Sequence, residues 1–168
     1  IGREVAIRAK AFGMKVFAVR KTMHTSSPDT EVDQMFPVEQ LTEMIGHSDV
    51  VVMAAPASEE TRDMFNSHMF KIMKPGAIFC NIARGMHVVE SDLIDALESG
   101  HLKAAVLDVT RVEPLPLDSP IWTQENMYLS PHCSVSFDNY EKNAVAILVE
   151  NAQRYLSGKK MINVVSPI

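Results

Sequence analysis

The sequence is short of cysteine, has no long apolar run and carries no surplus of positive charge. Cys80 and Cys133 are its only two cysteines, far apart and without metal-ligand spacing. Two thiols in 168 residues suit a reducing compartment, so a cytoplasmic location is expected. No apolar stretch approaches the roughly 20 residues that cross a bilayer, and no charged-then-apolar leader is visible. A net charge of -5 gives no bulk attraction to nucleic acid or to an anionic membrane surface. Neither kind of partner is therefore expected. There is no internal repeat and no low-complexity tract. What is present is a balance of 46% hydrophobic and 22% charged residues, enough for one globular domain with a full core. The eleven methionines are expected to fill gaps in that core.

Helical patterns alternate with short, nearly continuous apolar runs, as a parallel sheet covered on both faces requires. Residues 3–12 place Val5, Ala6, Ala9 and Phe12 on one helical face, and Gly13 ends it. Residues 15–19 read as a strand and residues 22–34 as a polar loop. A short helix over 38–45 and a buried strand over 49–54 follow. Residues 61–73 read as a helix, 74–76 as a turn and 77–81 as a strand. Then come a helix over 90–99, strands over 104–109 and 126–129, and a long amphipathic helix over 137–157. This rhythm predicts an α/β fold, a doubly wound parallel sheet with right-handed crossovers.

In such sheets a ligand sits beyond the carboxyl ends of the strands. Arg20, Ala55-Pro56, Ala83-Arg84-Gly85, Thr110 to Glu113 and His132 each follow a different predicted strand. The spacing alone therefore sends them to one rim.

The segment Asn81–Trp122, followed by Ser130-Pro131-His132, resembles the D-isomer-specific 2-hydroxyacid dehydrogenases. Its Asn-Ile-Ala-Arg-Gly-Met-His-Val-Val-Glu stretch is most similar to the glyoxylate/hydroxypyruvate reductase branch. The resemblance covers essentially the whole chain. It implies a Rossmann-type nicotinamide-dinucleotide domain over 1–168, joined in the family to an N-terminal substrate domain that this sequence lacks. It also implies a homodimer formed through this domain. Ile1-Gly2 match only the end of the family's glycine-rich turn, so the first strand and most of that turn are missing. A sheet without that central strand would expose two open edges, which invite aggregation. The sequence therefore reads as part of a longer polypeptide.

The resemblance assigns cofactor contacts in turn. Gly2 allows close packing of helix on strand, and the amides at the helix start face the pyrophosphate. A carboxylate after the second strand would accept the ribose hydroxyl of NAD, but Arg20-Lys21-Thr22 stand there instead. Two cations and a hydroxyl suit the 2′-phosphate of NADP, so NADP is expected over NAD. Ala55, Pro56 and Thr61 match the loop on the adenine and ribose side, with Thr61 equally suited to cap a helix. The resemblance also makes Ile82, Ala83, Arg84, Asp108 and His132 cofactor contacts, with Asp108 near the nicotinamide and its carboxamide.

Reducing a 2-keto acid needs a cation for the carboxylate and ketone, a proton donor, and a partner that orients the donor. Arg84 suits the first task, because its planar fork matches a carboxylate at two points. His132 suits the second, because imidazole titrates near neutrality. Glu113, before Pro114, suits the third, since a carboxylate bonded to imidazole holds it charged and oriented. The substrate expected is a small 2-keto acid such as glyoxylate or hydroxypyruvate, and no metal is expected. His24, His47, His68, His87 and His101 read as structural, and Trp122 as packing. Thr110 stands where the family often has an aromatic, and Cys133-Ser134 where it has small residues. The alternative is a non-catalytic binding protein like the co-repressors of the same fold, which sense the cofactor and bind peptides. Met86–Glu90 and the Arg20-Lys21 pair favour the reductase.

Overall fold

The computed structural model describes residues 1–21, 31–134 and 137–164. The chain forms two compact units, Ile1–His132 and Cys133–Ile168.

The first unit opens with helix α1, Gly2–Ala11, which ends before Gly13 at a φ of 76°. Strand β1 is Phe17–Val19 and strand β2 is Gln34–Phe36. A 3-10 turn over Val38–Gln40 leads into α2, Leu41–Gly46. Strand β3 is Val50–Met53, and β4 is Ala77–Asn81. Helix α3, Ser67–Ile72, lies between them. Helix α4, Glu90–Glu98, precedes β5, Leu102–Leu107, and β6 is Met127–Leu129.

All pairings are parallel, in the orders β1-β2 and β3-β4-β5-β6. No described strand joins β1 to β3. The parallel strands with interleaved helices match the α/β fold that the pattern predicts and the Rossmann-like domain that the resemblance implies.

Parallel strands buried on both faces explain the apolar runs. Phe79 is 0% exposed at the centre of β4 and stacks edge-on against Phe70 of α3, with Phe65 tilted on both rings. Ile45, Leu93, Leu102 and Leu107 close the same core. A second, thinner cluster holds Ala6, Val32 and Met35 beside β1 and β2. Met35, Met53, Met73 and Met127 are buried as expected, but Met14 and Met161 are exposed.

Three expectations change. The polar loop over 22–34 stops short of β2, a strand that three residues before Pro37 are too few to announce. Its residues 22–30 lie outside the described residues. The helix over 61–73 is broken. Glu59–Thr61 is a 3-10 turn, residues 62 and 63 form a further turn with Asp63 at a φ of 50°, and Phe65 makes an isolated parallel bridge to Val88. There Asp63 N–H donates to Met86 O and Phe65 N–H to His87 O, and Phe65 O accepts from Val89 N–H. The helix restarts at Asn66, whose side-chain oxygen accepts from the amides of His68 and Met69. Backbone pairing to the 86–89 segment thus overrides helical periodicity. Trp122 is 54% exposed, its indole N–H donating to Pro116 O at 2.8 Å, so it is no core packer.

The second unit is α5, Phe137–Leu156, with its following segment folded back along it. Asn151 secures that return, donating to Ile162 O at 3.1 Å and accepting from Ile162 N–H at 2.8 Å. No helix among the described residues is long and apolar enough to cross a membrane.

Candidate active site at the strand ends

The carboxyl ends of β4, β5 and β6 are fixed by buried polar groups. Asn81 is the last residue of β4 and fully buried. Its amide donates to Arg84 O at 2.9 Å, and its oxygen accepts from Ala83 N–H at 3.1 Å. One side chain thereby shapes the turn that carries Arg84. A Cβ on Gly85 would lie 2.0 Å from Thr110 O, so only glycine lets this turn pass the loop after β5. Arg84 itself is exposed, with a guanidinium N–H donating to Ala83 O at 2.6 Å.

Asp108 directly follows β5 and is buried. Its carboxylate accepts from Ser130 Oγ, and its carbonyl accepts from His132 N–H at 2.9 Å. His132 has a φ of 51°, a left-handed conformation that side chains seldom adopt. The bond to Asp108 O pins it there.

His132 Nδ1 lies 2.8 Å from Glu113 Oε2. A carboxylate can only accept, so Nδ1–H donates. That leaves Nε2 directed away from the acid. The other Glu113 oxygen accepts from Thr110 N–H at 3.1 Å, while Thr110 Oγ1 donates to Val112 O at 2.9 Å. The Glu113–Pro114 peptide is cis. The hydrogen bond from His132 holds the Glu113 carboxyl below its ordinary range, partly offset by burial and aided by the Thr110 amide and the Arg84 charge. Arg84, Gly85, Thr110, Arg111, Glu113 and Ala57 share the lining of an open cavity of about 270 Å³.

Arg111 ties the acid's loop down. It is ion-paired with Asp63, its Nε donates to Val88 O at 3.3 Å, and its amide donates to Glu90 Oε1 at 2.6 Å. Asn81, Ser130 and Arg111 were not singled out in the sequence. A polar residue ending an otherwise apolar strand, as Asn81 does, is the signal that could have found the first.

The other predicted residues open α1 or follow β1, β3 and β4, and form no single cluster. α1 starts without a side-chain cap, and a Cβ on Gly2 would meet Ala54 Cβ at 3.9 Å, an ordinary contact. Close packing therefore does not demand glycine there, unlike at Gly85. Ile1 is exposed and its carbonyl accepts from Val5 N–H. Arg20 and Lys21 are exposed after β1, Lys21 paired with Glu60, and Thr22 lies outside the described residues. Ala55 and Pro56 are exposed after β3. Thr61 is not the helix cap. Ser58 is, and Thr61 Oγ1 reaches back to accept from Ser58 N–H at 2.9 Å. Ile82 N–H donates to Met53 O at 3.2 Å, which links the β3 and β4 ends.

Among the other histidines, His101 Nε2 sits 3.0 Å from both Phe70 O and Met73 O, a structural role. His87 is fully buried. His24 lies outside the described residues.

A parallel sheet with polar groups gathered at its carboxyl rim defines a dinucleotide-binding class of domain. The family profile described as D-isomer specific 2-hydroxyacid dehydrogenase, NAD binding domain, matches residues 1–134. The chain belongs to this family. It is 36% identical over 166 residues to a hydroxypyruvate reductase of Blautia hydrogenotrophica, covering 99% of this chain and 50% of that protein. It is 35% identical to glyoxylate/hydroxypyruvate reductase B of Cronobacter sakazakii, covering 99% and 51%. A solved D-isomer specific 2-hydroxyacid dehydrogenase of Xanthobacter autotrophicus in complex with NADPH superposes with a TM-score of 0.86 at 34% identity, covering 99% and 51%. The chain thus spans about half the length of the relatives it matches.

Proposed function

We propose that the protein reduces a small 2-keto acid, with glyoxylate and hydroxypyruvate the first candidates, and prefers NADPH to NADH. The observation that carries this reading is the 2.8 Å His132–Glu113 contact at the rim where Arg84 borders the same cleft as Glu113. The names of the relatives support it.

The residues fit a nicotinamide dinucleotide. The uncapped start of α1, at Ile1 and Gly2, offers amides to a pyrophosphate beside the end of β3. Ala55, Pro56 and Thr61 would border the adenine and ribose. Ile82, Ala83 and Asp108 would border the nicotinamide. Arg20, Lys21 and Thr22 would take the 2′-phosphate, which would compete with Glu60 for Lys21. When bound, the cofactor supplies the hydride.

Arg84 leaves its Ala83 carbonyl contact to grip the substrate carboxylate and polarise the ketone. His132 gives the proton from Nε2 to the carbonyl oxygen. Glu113, accepting from Nδ1–H, fixes the direction of the ring. The protein works as a homodimer through this domain, which sedimentation would measure.

The test is cofactor oxidation by the full-length protein with a panel of 2-keto acids. Faster turnover with NADPH than NADH on glyoxylate or hydroxypyruvate is expected. No turnover of any keto acid with either cofactor contradicts the proposal.

A further inference from the structure

Asp63 holds a conformation that its residue type adopts at a cost. It sits in the turn before α3 at a φ of 50°, where glycine moves freely and a side chain crowds its own backbone. Residues kept in such regions by the rest of a fold cluster at functional sites. The Asp63 amide donates to Met86 O at 2.9 Å, a bond that glycine would make as well. What aspartate adds is a carboxylate, and that carboxylate is ion-paired with Arg111.

The pair is a poor stabiliser. Both side chains are more than one-third exposed, and such pairs contribute little to folding. Its place in the fold gives it another use. Arg111 lies on the loop after β5, next to Thr110, whose amide donates to Glu113 Oε1 at 3.1 Å. Arg111 Nε donates to Val88 O at 3.3 Å, and its backbone amide to Glu90 Oε1 at 2.6 Å. Val88 and Glu90 follow the turn that carries Arg84. The two loops also press together, since a Cβ on Gly85 would lie 2.4 Å from Arg111 N. Arg111 therefore joins three stretches of chain: the turn at Asp63, the segment after Arg84 and the loop of Glu113.

We infer that Arg111, held by Asp63, is a positioning residue that clasps the Glu113 loop to the segment after Arg84 and so keeps Glu113 in reach of His132 Nδ1. Its effect on turnover rests on the reductase reading, whereas its effect on the His132–Glu113 bond does not. Arg111 lines the same cleft as Arg84, but its charge is engaged by Asp63, so it acts through the loop and not on the keto acid. The planar guanidinium donates along two edges, which fixes direction as a single ammonium would not.

The test uses Asp63→Gly and Asp63→Asn in the full-length protein. Glycine suits the φ of 50° and keeps the bond to Met86, but the hold on Arg111 is lost. Asparagine tolerates that φ and keeps an oxygen acceptor. Asp63→Gly should melt at or above the wild-type Tm, yet lose about 5-fold or more in kcat on the best keto acid of the panel, because small misplacements of catalytic groups are costly. Its NADPH affinity should stay within about 2-fold of wild type, and Asp63→Asn should recover most of kcat. In the Glu113→Gln background, Asp63→Gly should cost no more than about 2-fold further. Separately from turnover, the proton resonance of His132 Nδ1–H should be present in the wild type and weakened by Asp63→Gly. An unchanged resonance in Asp63→Gly overturns the inference, and so does a wild-type kcat or a kcat loss that only follows a lowered Tm. Wild-type protein that turns over no keto acid overturns the reductase proposal alone, and the resonance still decides the clasp.

Discussion

On one side of the gap between β1 and β3, strand β4 alternates buried and half-buried residues and ends in a fully buried asparagine. On the other side, all three residues of β1 are only half-buried. The four-stranded sheet rests on a large aromatic and aliphatic core, the two-stranded sheet on Ala6, Val32 and Met35. The rims differ in the same way. Arg84, Glu113 and His132 hang from turns fixed by Asn81, Asp108 and Ser130, whereas Arg20 and Lys21 stand exposed after a short strand. Chemistry needs groups held within tight limits, and the well-buried sheet supplies them. The recognition of one cofactor phosphate proposed for Arg20 and Lys21 would tolerate a looser mount, because charge attraction is not strongly directional.

The largest expected effect breaks the well-held rim. His132→Ala should lower kcat by about 10²–10⁴-fold, the usual worth of a positioned proton donor, measured as NADPH oxidation. A kcat within 2-fold or so of wild type would remove His132 from the mechanism.

Stability should show the same asymmetry. Phe79→Ala is expected to cost about 3–5 kcal/mol and Met35→Ala less, at the lower end of about 2–5, both read from urea midpoints. Gly85→Ala should cost about 1–3 kcal/mol or more, because its Cβ would collide with Thr110 O. Gly2→Ala should be neutral or stabilising, since its Cβ meets only an ordinary contact with Ala54. Equal costs for the two glycines would refute the packing account.

At the looser rim, Arg20→Ala should raise the NADPH KM by about 10-fold, the order of one charge-assisted hydrogen bond, and leave the NADH KM unchanged. Equal effects on both cofactors would place Arg20 away from the 2′-phosphate.

The smallest effect concerns pH. The folded Glu113 pKa lies below the ordinary 4.5. As pH falls, the unfolded chain takes up that proton first. The stabilisation is therefore fully present above about pH 4.5 and is lost as pH drops through the depressed value. Both partners are more than one-third exposed, so only about 0.2–1 kcal/mol is at stake. Urea titrations should show wild type ahead of Glu113→Gln near neutrality and the margin shrinking in acid. A margin that grows in acid would reverse the assignment.

The same contrast explains what the sequence could disclose. β4 was legible to the residue, because an apolar run between a Pro-Gly turn and a polar stretch has few other readings. The long helix α5 and its Gly158 stop were equally plain. β2 was hidden because three residues carry no period, and the break before α3 because its cause is a backbone ladder to residues 86–89. Arg84, Glu113 and His132, the proposed catalytic trio, were legible as types at strand ends, and Glu113 and His132 do meet. The supports were not, since no spacing reveals that Arg111 pairs with Asp63 or Ser130 with Asp108.

The most direct measurement is a double-mutant cycle on kcat with Glu113→Gln, His132→Ala and the pair. If the acid works only through the imidazole it holds at 2.8 Å, Glu113→Gln will slow the wild type markedly and leave His132→Ala unchanged within about 2-fold. Full multiplication of the two losses would mean that the groups act separately, contrary to the arrangement described.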